Sequence, residues 1–438
     1  MQLIGRRDRR GPPRVGLFGH LGACNIGNDA SMQSLVSYIR LQHGDAVIDA
    51  MCSGPERVTE LYGMSAVALF WQHRFEGRVS GAAAVPLKVV GKVLDTFRTG
   101  AWVRRHDVVM VPGAGVLEAS LPLWPWAMPY SLFLLSAWGR LFRTKVAYVS
   151  VGAGAIKHPV TRLFSNTAAR LALYRSYRDA GAREAMRLRG LDVDHDAVYP
   201  DLVFALPTPQ DESEGPGCPP DPGETDLVGV GVMAYWGSND DRRRGDAIYA
   251  AYVDQMKELV LWLLDSGRRV RLLVGDANGS DDAVLQEVLE HVRSTRLDLE
   301  PSRIISDPVH SFRDVMVAMQ QVNSVIAMRY HNLICALKLC KPTVSIGYSP
   351  KHDVLMAGMG LERYCQSVDT LDMARLKVQF EELEGRSAEL RHYMQERNAE
   401  NVVQLNEQFA KLSTVLFDAP EALAAPVSVG LPHSGELG

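Results

Sequence analysis

Cysteine is scarce in this chain and follows no pairing pattern. Six cysteines fall in 438 residues, at 24, 52, 218, 335, 340 and 365. None forms a C-x-x-C pair and no spacing suggests a zinc site, so they read as reduced core thiols of a cytoplasmic protein. A basic excess is lacking too. Lys+Arg 47 against Asp+Glu 51 gives a formal charge of -4, which argues against a nucleic-acid binder, although Arg6 to Arg10 is locally basic. No apolar run follows the basic N-terminus, Met1 to Arg6, so no secretory leader is expected. Nor is there an unbroken run long enough to span a membrane. Leu121 to Phe142 comes nearest, but Pro122, Pro125 and Pro129 interrupt its first third. It reads as an aromatic loop followed by a buried crossover helix, Tyr130 to Phe142. A second reading is a loop that touches a membrane or a lipid-linked substrate, because Trp favours the interface. His and carboxylate residues nowhere cluster at metal-ligand spacing, so no metal and no cofactor is expected.

What is present is an ordinary globular composition, 47% hydrophobic and 22% charged, with length enough for two domains. Pro207 to Asp226, dense in Pro, Gly and acids, reads as a linker. Before it, apolar strands at Val15–Phe18, Asp45–Met51, Asp107–Val111, Val146–Ser150 and Val198–Phe204 alternate with helical patterns such as Ala30–Leu41. After it come strands at Leu227–Met233, Val270–Val274, Ile304–Ile305, Val325–Met328 and Thr343–Ile346, with helices between them. This alternation predicts an α/β protein of two Rossmann-like, parallel-sheet domains facing a cleft. The boundaries are 1–206 for the N-terminal domain, with the acceptor side and cleft floor, and 207–226 for the linker. The C-terminal domain spans 227–370, a charged helical segment 371–418, and a Pro-, Ala- and Gly-rich disordered tail 419–438.

Several strand ends carry motifs. Gly19 to Asp29 follows the first strand and opens the first helix. Its glycines would let backbone N–H groups approach an anion, and Asn25 or Asp29 could cap the helix. Its spacing is not the G-x-G-x-x-G of dinucleotide sites, and a plain capped turn fits equally. Gly113 to Glu118 and Val151 to Gly154 follow two further strands. Glu118 there could act as a base or orient a hydroxyl, or be a solvated loop acid. Arg178 could fork onto a phosphate or carboxylate, or simply pair with Asp179. Asp276 and His352 could contact an acceptor, but read more readily as ordinary loop polar residues. Arg329 and His331 fall where a buried strand meets a helix N-terminus, the place where open α/β sheets bind ligands. Tyr348 and Lys351 follow the next strand. A fixed cation, an imidazole and a lysine suit a small, highly charged anion.

Together these stretches resemble the polysaccharide pyruvyl transferase family. The matching segments are Asn25 to Asp29, Gly113 to Glu118, Arg178-Asp179, Pro200-Asp201, Arg329-Tyr330-His331 and Tyr348-Ser349-Pro350-Lys351. The resemblance runs from about Val15 to about Leu361, and the last two motifs are its specific part. Asn28 stands where the family has an acid, with Asp29 one place later, and Ala114 replaces a glycine.

The resemblance implies a GT-B-like fold and transfer of pyruvate from phosphoenolpyruvate to sugar hydroxyls. The product would be a ketal and free phosphate, with phosphoenolpyruvate a co-substrate and no separate cofactor. It implies that Arg329, Arg178 and Lys351 hold the donor, with Tyr348, Asn25, Asp29 and Gly113 lining the substrate site. His331 would be the general acid and Glu118 the base. The acceptor would be a sugar or lipid-linked saccharide of an exopolysaccharide or cell-envelope precursor, handled in the cytoplasm or at the inner face of the membrane. Two alternatives remain open at this point. One is a GT-B glycosyltransferase using a nucleotide sugar; the other is a non-catalytic relative that binds a glycan.

Overall fold

The computed structural model describes residues 11–23, 25–75, 84–118, 125–209, 226–237, 239–275 and 279–418. The Pro-rich stretch 210–225, the tail 419–438, Arg6 to Arg10, Asp276 and Trp124 lie outside the described residues. The chain divides into two compact units. One gathers residues up to Ala23, Asn28–Leu206 and the chain from Val403; the other gathers the segment up to Gly27 and Pro207–Val402.

The first unit is built on β1 (Arg14–Gly19), α1 (Ile26–Gln42), β2 (Val47–Cys52), α2 (Pro55–Tyr62), β3 (Ser65–Ala68), α3 (Ala84–Val103) and β4 (Val108–Pro112). There follow α4 (Met128–Phe142), β5 (Lys145–Val151), α5 (Pro159–Leu171), β6 (Tyr174–Tyr177), α6 (Ala180–Leu188) and β7 (Ala197–Val198). Its seven strands run in the order β3-β2-β1-β4-β5-β6-β7, all parallel. Helices on a parallel sheet bury both faces of its central strands, which is why β4 reads as an unbroken Val-Val-Met-Val run and is buried throughout.

The second unit holds β8 (Leu227–Val232), α7 (Gly245–Asp265), β9 (Arg269–Val274), α8 (Ser280–Thr295), β10 (Ile304–Ser306), α9 (Phe312–Gln320) and β11 (Ser324–Ala327). It continues with α10 (Tyr330–Lys338), β12 (Thr343–Gly347), α11 (Pro350–Gly358), β13 (Cys365–Ser367), α12 (Met373–Gly385) and α13 (Ser387–Phe417). The six strands are parallel in the order β10-β9-β8-β11-β12-β13. In each sheet the order reverses once, between β1 and β4 and between β8 and β11. Ligands of open α/β sheets bind outside the strand ends at such points.

Some expectations need correction. The strand expected over Val198–Phe204 stops at Val198. Pro200 has no N–H for a ladder, and Leu202–Ala205 instead forms a 3-10 turn capped by Asp201, which accepts from the Val203 N–H at 3.1 Å. His352 is no loop residue. It is wholly buried in α11, Nε2 3.1 Å from the Met328 carbonyl and Nδ1 3.1 Å from that of Ser349. Cys52, Cys335 and Cys365 are free thiols, and burial pushes the Cys52 thiol up to about 12. Cys340 is disulfide-bonded. Reading all six as thiols was therefore wrong for this one, because spacing says nothing of a partner set by the fold. The charged C-terminal segment is two helices. The second half of α13 packs into the first unit, with Phe409 stacked on Tyr38 at 4.7 Å and Ser413 bonded to the Tyr38 hydroxyl at 2.7 Å.

Candidate active site

In the first unit the candidate residues gather after β4, β5 and β6. Ser150, at the end of β5, sits at φ 49 beside a register shift against β6. Its N–H donates to Ser176 Oγ at 2.9 Å and its hydroxyl to Gln408 Oε1 at 3.1 Å; Gln408 Nε2 closes the ring onto Ser176 Oγ at 2.7 Å. This buried polar network fixes the chain just before Gly152. The loop after β4 is laced to the loop after β5 by backbone bonds from Gly152 to Ala114 (2.7 Å), Leu117 to Gly152 (3.1 Å) and Gly154 to Leu117 (3.2 Å). Arg189 adds a side-chain tie, donating to the Leu117 carbonyl at 2.9 Å. Burial lowers its pKa to about 10.

That lacing brings Glu118 onto Arg178, whose Nη2 donates to Glu118 Oε1; Arg178 Nε also lies 3.7 Å from Asp179. Asp179 in turn caps α6 through the Ala182 N–H. The glycines make the room. A Cβ on Gly152 would fall onto both the Glu118 carboxylate and the Arg178 guanidinium, and one on Gly115 would come within 2.7 Å of Glu118 Oε2. Glu118 is thus a half-buried, paired carboxylate rather than a solvated loop acid.

Gly113, read as lining the substrate site, stands in the turn that follows β4. It is buried at φ 44, its N–H donates to the Val149 carbonyl at 2.8 Å, and a Cβ would meet Ser31 Oγ of α1 at 2.6 Å. A glycine there lets α1 approach the end of β4 closely. Asp29 is buried as well. Its Oδ1 accepts the Gly22 N–H at 2.6 Å, with Arg57 at 3.9 Å from Oδ2. Burial raises its pKa against the opposing pull of Gly22 and Arg57. Asn25 is half-buried just before α1, and Asn28 donates to the His20 carbonyl at 3.1 Å. These residues shape the turn after β1. His20, which the sequence reading passed over, lies in that turn with Nδ1 2.7 Å from Ser53 Oγ. Burial, and then His73, lowers its pKa. Beside it a groove of about 970 Å³ runs between α2, β3 and α3, lined by Ser53, Glu56, Glu60, His73, Arg98 and Trp102.

In the second unit Arg329 is the N-cap of α10, directly after β11 at the reversal point. Its Nε and Nη2 donate to Asp281 Oδ2 and Oδ1 at 2.7 and 2.6 Å. Asp281 has no exposed surface and also accepts the Ala234 N–H at 3.0 Å. It therefore joins the end of β8, the start of α8 and Arg329. Sequence reasoning missed Asp281 because its partner is 48 residues away; a pair of acids opening a helix is its only local trace. His331, in the first turn of α10, has Nδ1 3.1 Å from the Gly275 carbonyl. With that nitrogen donating, Nε2 is the acceptor of the neutral ring. The Lys351 ammonium stands 5.1 Å from the Tyr330 ring centre and 5.5 Å from that of Tyr348, within reach of a cation–π attraction. Tyr348 packs edge-on to His352 at 4.5 Å. Neither α10 nor α11 is capped by its N-cap side chain. Among the described residues, no group of acids, histidines and cysteines is arranged to hold a metal, and no helix is long and apolar enough to cross a membrane.

The fold is shared with several solved proteins. The N-terminal domain of trehalose-6-phosphate phosphatase from Candida albicans aligns over 96% of this chain and 99% of its own, with TM-score 0.58 and 10% identity. The UDP-GlcNAc 2-epimerase of Neisseria meningitidis, solved bound to UDP-GlcNAc, aligns over 87% and 94% with TM-score 0.53 and 10% identity. That of Methanocaldococcus jannaschii aligns over 84% and 92% with TM-score 0.52 and 9% identity. At such identity the likeness defines the fold class, two parallel-sheet α/β domains of the GT-B type. Among curated protein sequences none matches this chain. The polysaccharide pyruvyl transferase family profile matches residues 25–350, and the chain belongs to that family. It is a transferase acting on a sugar or polysaccharide acceptor.

Proposed function

We propose that the donor is phosphoenolpyruvate and that the product is a pyruvate ketal on a sugar, with release of phosphate. The observation that carries this is the grouping of Arg329, His331 and Lys351 at the ends of the adjacent strands β11 and β12, at two helix N-termini without side-chain caps. Helix-end N–H groups and fixed cations are the chemistry that a phosphate and a carboxylate require. Asp281 holds the Arg329 plane before any ligand arrives, which lowers the ordering cost of binding.

In the proposed reaction His331, as imidazolium, delivers a proton to the enol carbon, turning the methylene into a methyl and leaving C2 electrophilic. A sugar hydroxyl attacks C2 and gives up its proton to a base. The C2–O bond to phosphate breaks, and a second hydroxyl attacks C2 and closes the ketal, its proton passing to the departing phosphate. Bound anions favour the charged imidazole. Glu118 is the proposed base, with Arg178 as its positioning partner rather than a donor ligand. The groove beside Ser53, with its carboxylates, His73 and Trp102, is proposed for the acceptor.

Calorimetric titration of phosphoenolpyruvate into the wild type and Lys351→Ala, with UDP and UDP-GlcNAc as competitors, tests the donor. Saturable binding weakened in the variant and indifferent to nucleotides supports it. Nucleotide binding without phosphoenolpyruvate binding would overturn it in favour of a nucleotide-sugar glycosyltransferase, the reading that the UDP-GlcNAc-bound neighbour keeps in the comparison.

A further inference from the structure

In the first unit α3, α4 and α5 form one layer. Trp138 Nε1 donates to the Thr96 carbonyl at 2.9 Å, and the Thr96 and Tyr130 hydroxyls bond at 2.8 Å. Phe164 of α5 packs on Trp126 at 5.5 Å and on Phe133 at 5.2 Å. The face of this layer away from the sheet is apolar where an ordinary surface is polar. On α3, Val89, Val90, Val93 and Phe97 are 61, 51, 55 and 66% exposed, at helical spacing along one line. Trp126, in the turn before α4, is 50% exposed and Leu163 of α5 61%. A contiguous exposed apolar face marks an interaction site.

Charge tells what it meets. The three helices, of 20, 15 and 13 residues, hold a single acid, Asp95. It is 3% exposed and paired with Arg98 at 2.9 Å. Among the described residues of these helices and the turns that flank them, the exposed charges include Lys88, Arg140, Arg143, Lys157, Arg162 and Arg170, and none is an acid, in a chain whose formal charge is -4. Two copies meeting through this face would set like charge against like. An apolar stripe with a basic rim and an exposed Trp instead suits a bilayer with anionic headgroups.

We propose that the outer face of α3, α4 and α5 docks the enzyme on an anionic lipid bilayer. Phe97, Val93 and Trp126 enter the headgroup boundary, and Lys88, Arg140 and Arg162 contact lipid phosphates. This inference stands apart from the identity of the donor, since none of these residues belongs to the donor cluster.

Flotation of the full chain with phosphatidylcholine vesicles, with and without phosphatidylglycerol, tests it. Binding is expected only with phosphatidylglycerol, falling as salt rises. Val93→Ser with Phe97→Ser should weaken partitioning about tenfold or more, and Lys88→Gln with Arg162→Gln about fivefold per charge. Melting curves establish that each variant is folded. Should the apolar variant fail to fold, the charge variant decides. No flotation, or flotation unchanged in the folded variants, would overturn the proposal. So would a dimer in sedimentation that Phe97→Ser dissociates without any lipid binding, which would assign the face to a second copy.

Discussion

Arg329 and Asp281 form a two-pronged ion pair in which the carboxylate has no exposed surface and the guanidinium is the only side-chain cation bonded to it among the described residues. Truncating the arginine alone strands a buried charge. Arg329→Ala should therefore cost about 3–5 kcal/mol of stability, measured as a shift in the urea midpoint. Arg329→Ala combined with Asp281→Asn should recover much of that, because the neutral amide oxygen can still accept the Ala234 N–H. An Arg329→Ala protein as stable as wild type would show that Asp281 is not held charged by this pair. Lys351, whose ammonium stands over the Tyr330 and Tyr348 rings, gives a second probe of donor binding.

His331 should separate catalysis from binding. In His331→Ala, turnover is expected to fall about 10²–10⁴-fold, while phosphoenolpyruvate affinity measured by calorimetry changes little. Equal losses in both would make the imidazole a binding group and remove it as the acid.

Two glycines a pair of residues apart should behave differently. A Cβ at Gly152 collides with the Glu118–Arg178 pair, whereas one at Gly154 meets Glu118 at ordinary contact distances of 3.6–3.8 Å. Gly152→Ala is expected to reduce turnover at least about tenfold by displacing Glu118, and Gly154→Ala to leave it near wild type. Similar activity in both would detach the pair from catalysis.

His20 gives a pH dependence. Its folded pKa lies below the ordinary 6.5, chiefly through burial. The unfolded chain therefore takes up its proton first as pH falls. The contribution is fully present above about pH 6.5 and is lost as pH falls through the lower folded value. Thermal unfolding from pH 8 down to pH 5 should show the loss in wild type and a flatter profile in His20→Asn. Parallel profiles would place the sensitivity elsewhere.

The sequence spoke most clearly where burial was complete. β4, β8 and, after Ser324, β11 are continuous apolar runs because both faces are covered, and a run bounded by turn residues is legible without a partner. β3 was missed because Ser65–Ala68 is a short edge strand of small, half-exposed residues. α5 was missed because Thr161, Ser165, Asn166 and Thr167 dilute its helical signal, and only the fold shows Ser165 and Asn166 turned inward. The site motifs showed where chemistry belongs but not what each side chain touches. Glu118 and Arg178 are 60 residues apart, and no local rule distinguishes that pairing from the Arg178–Asp179 contact beside it.

The closing half of α13 has a bearing on how the protein is made. Gln408 completes the buried ring with Ser150 and Ser176, Phe409 covers Tyr38, and the Lys145 ammonium reaches the Val415 and Leu416 carbonyls. The first unit thus lacks part of its interior until the ribosome has passed Leu416. Domains that finish early usually fold as they leave the ribosome; here the amino-terminal unit must wait until the whole second unit has been translated. A nascent chain stalled after Leu206 would expose the bed of that helix, and a stop codon just before Gln408 should be as harmful as one far upstream.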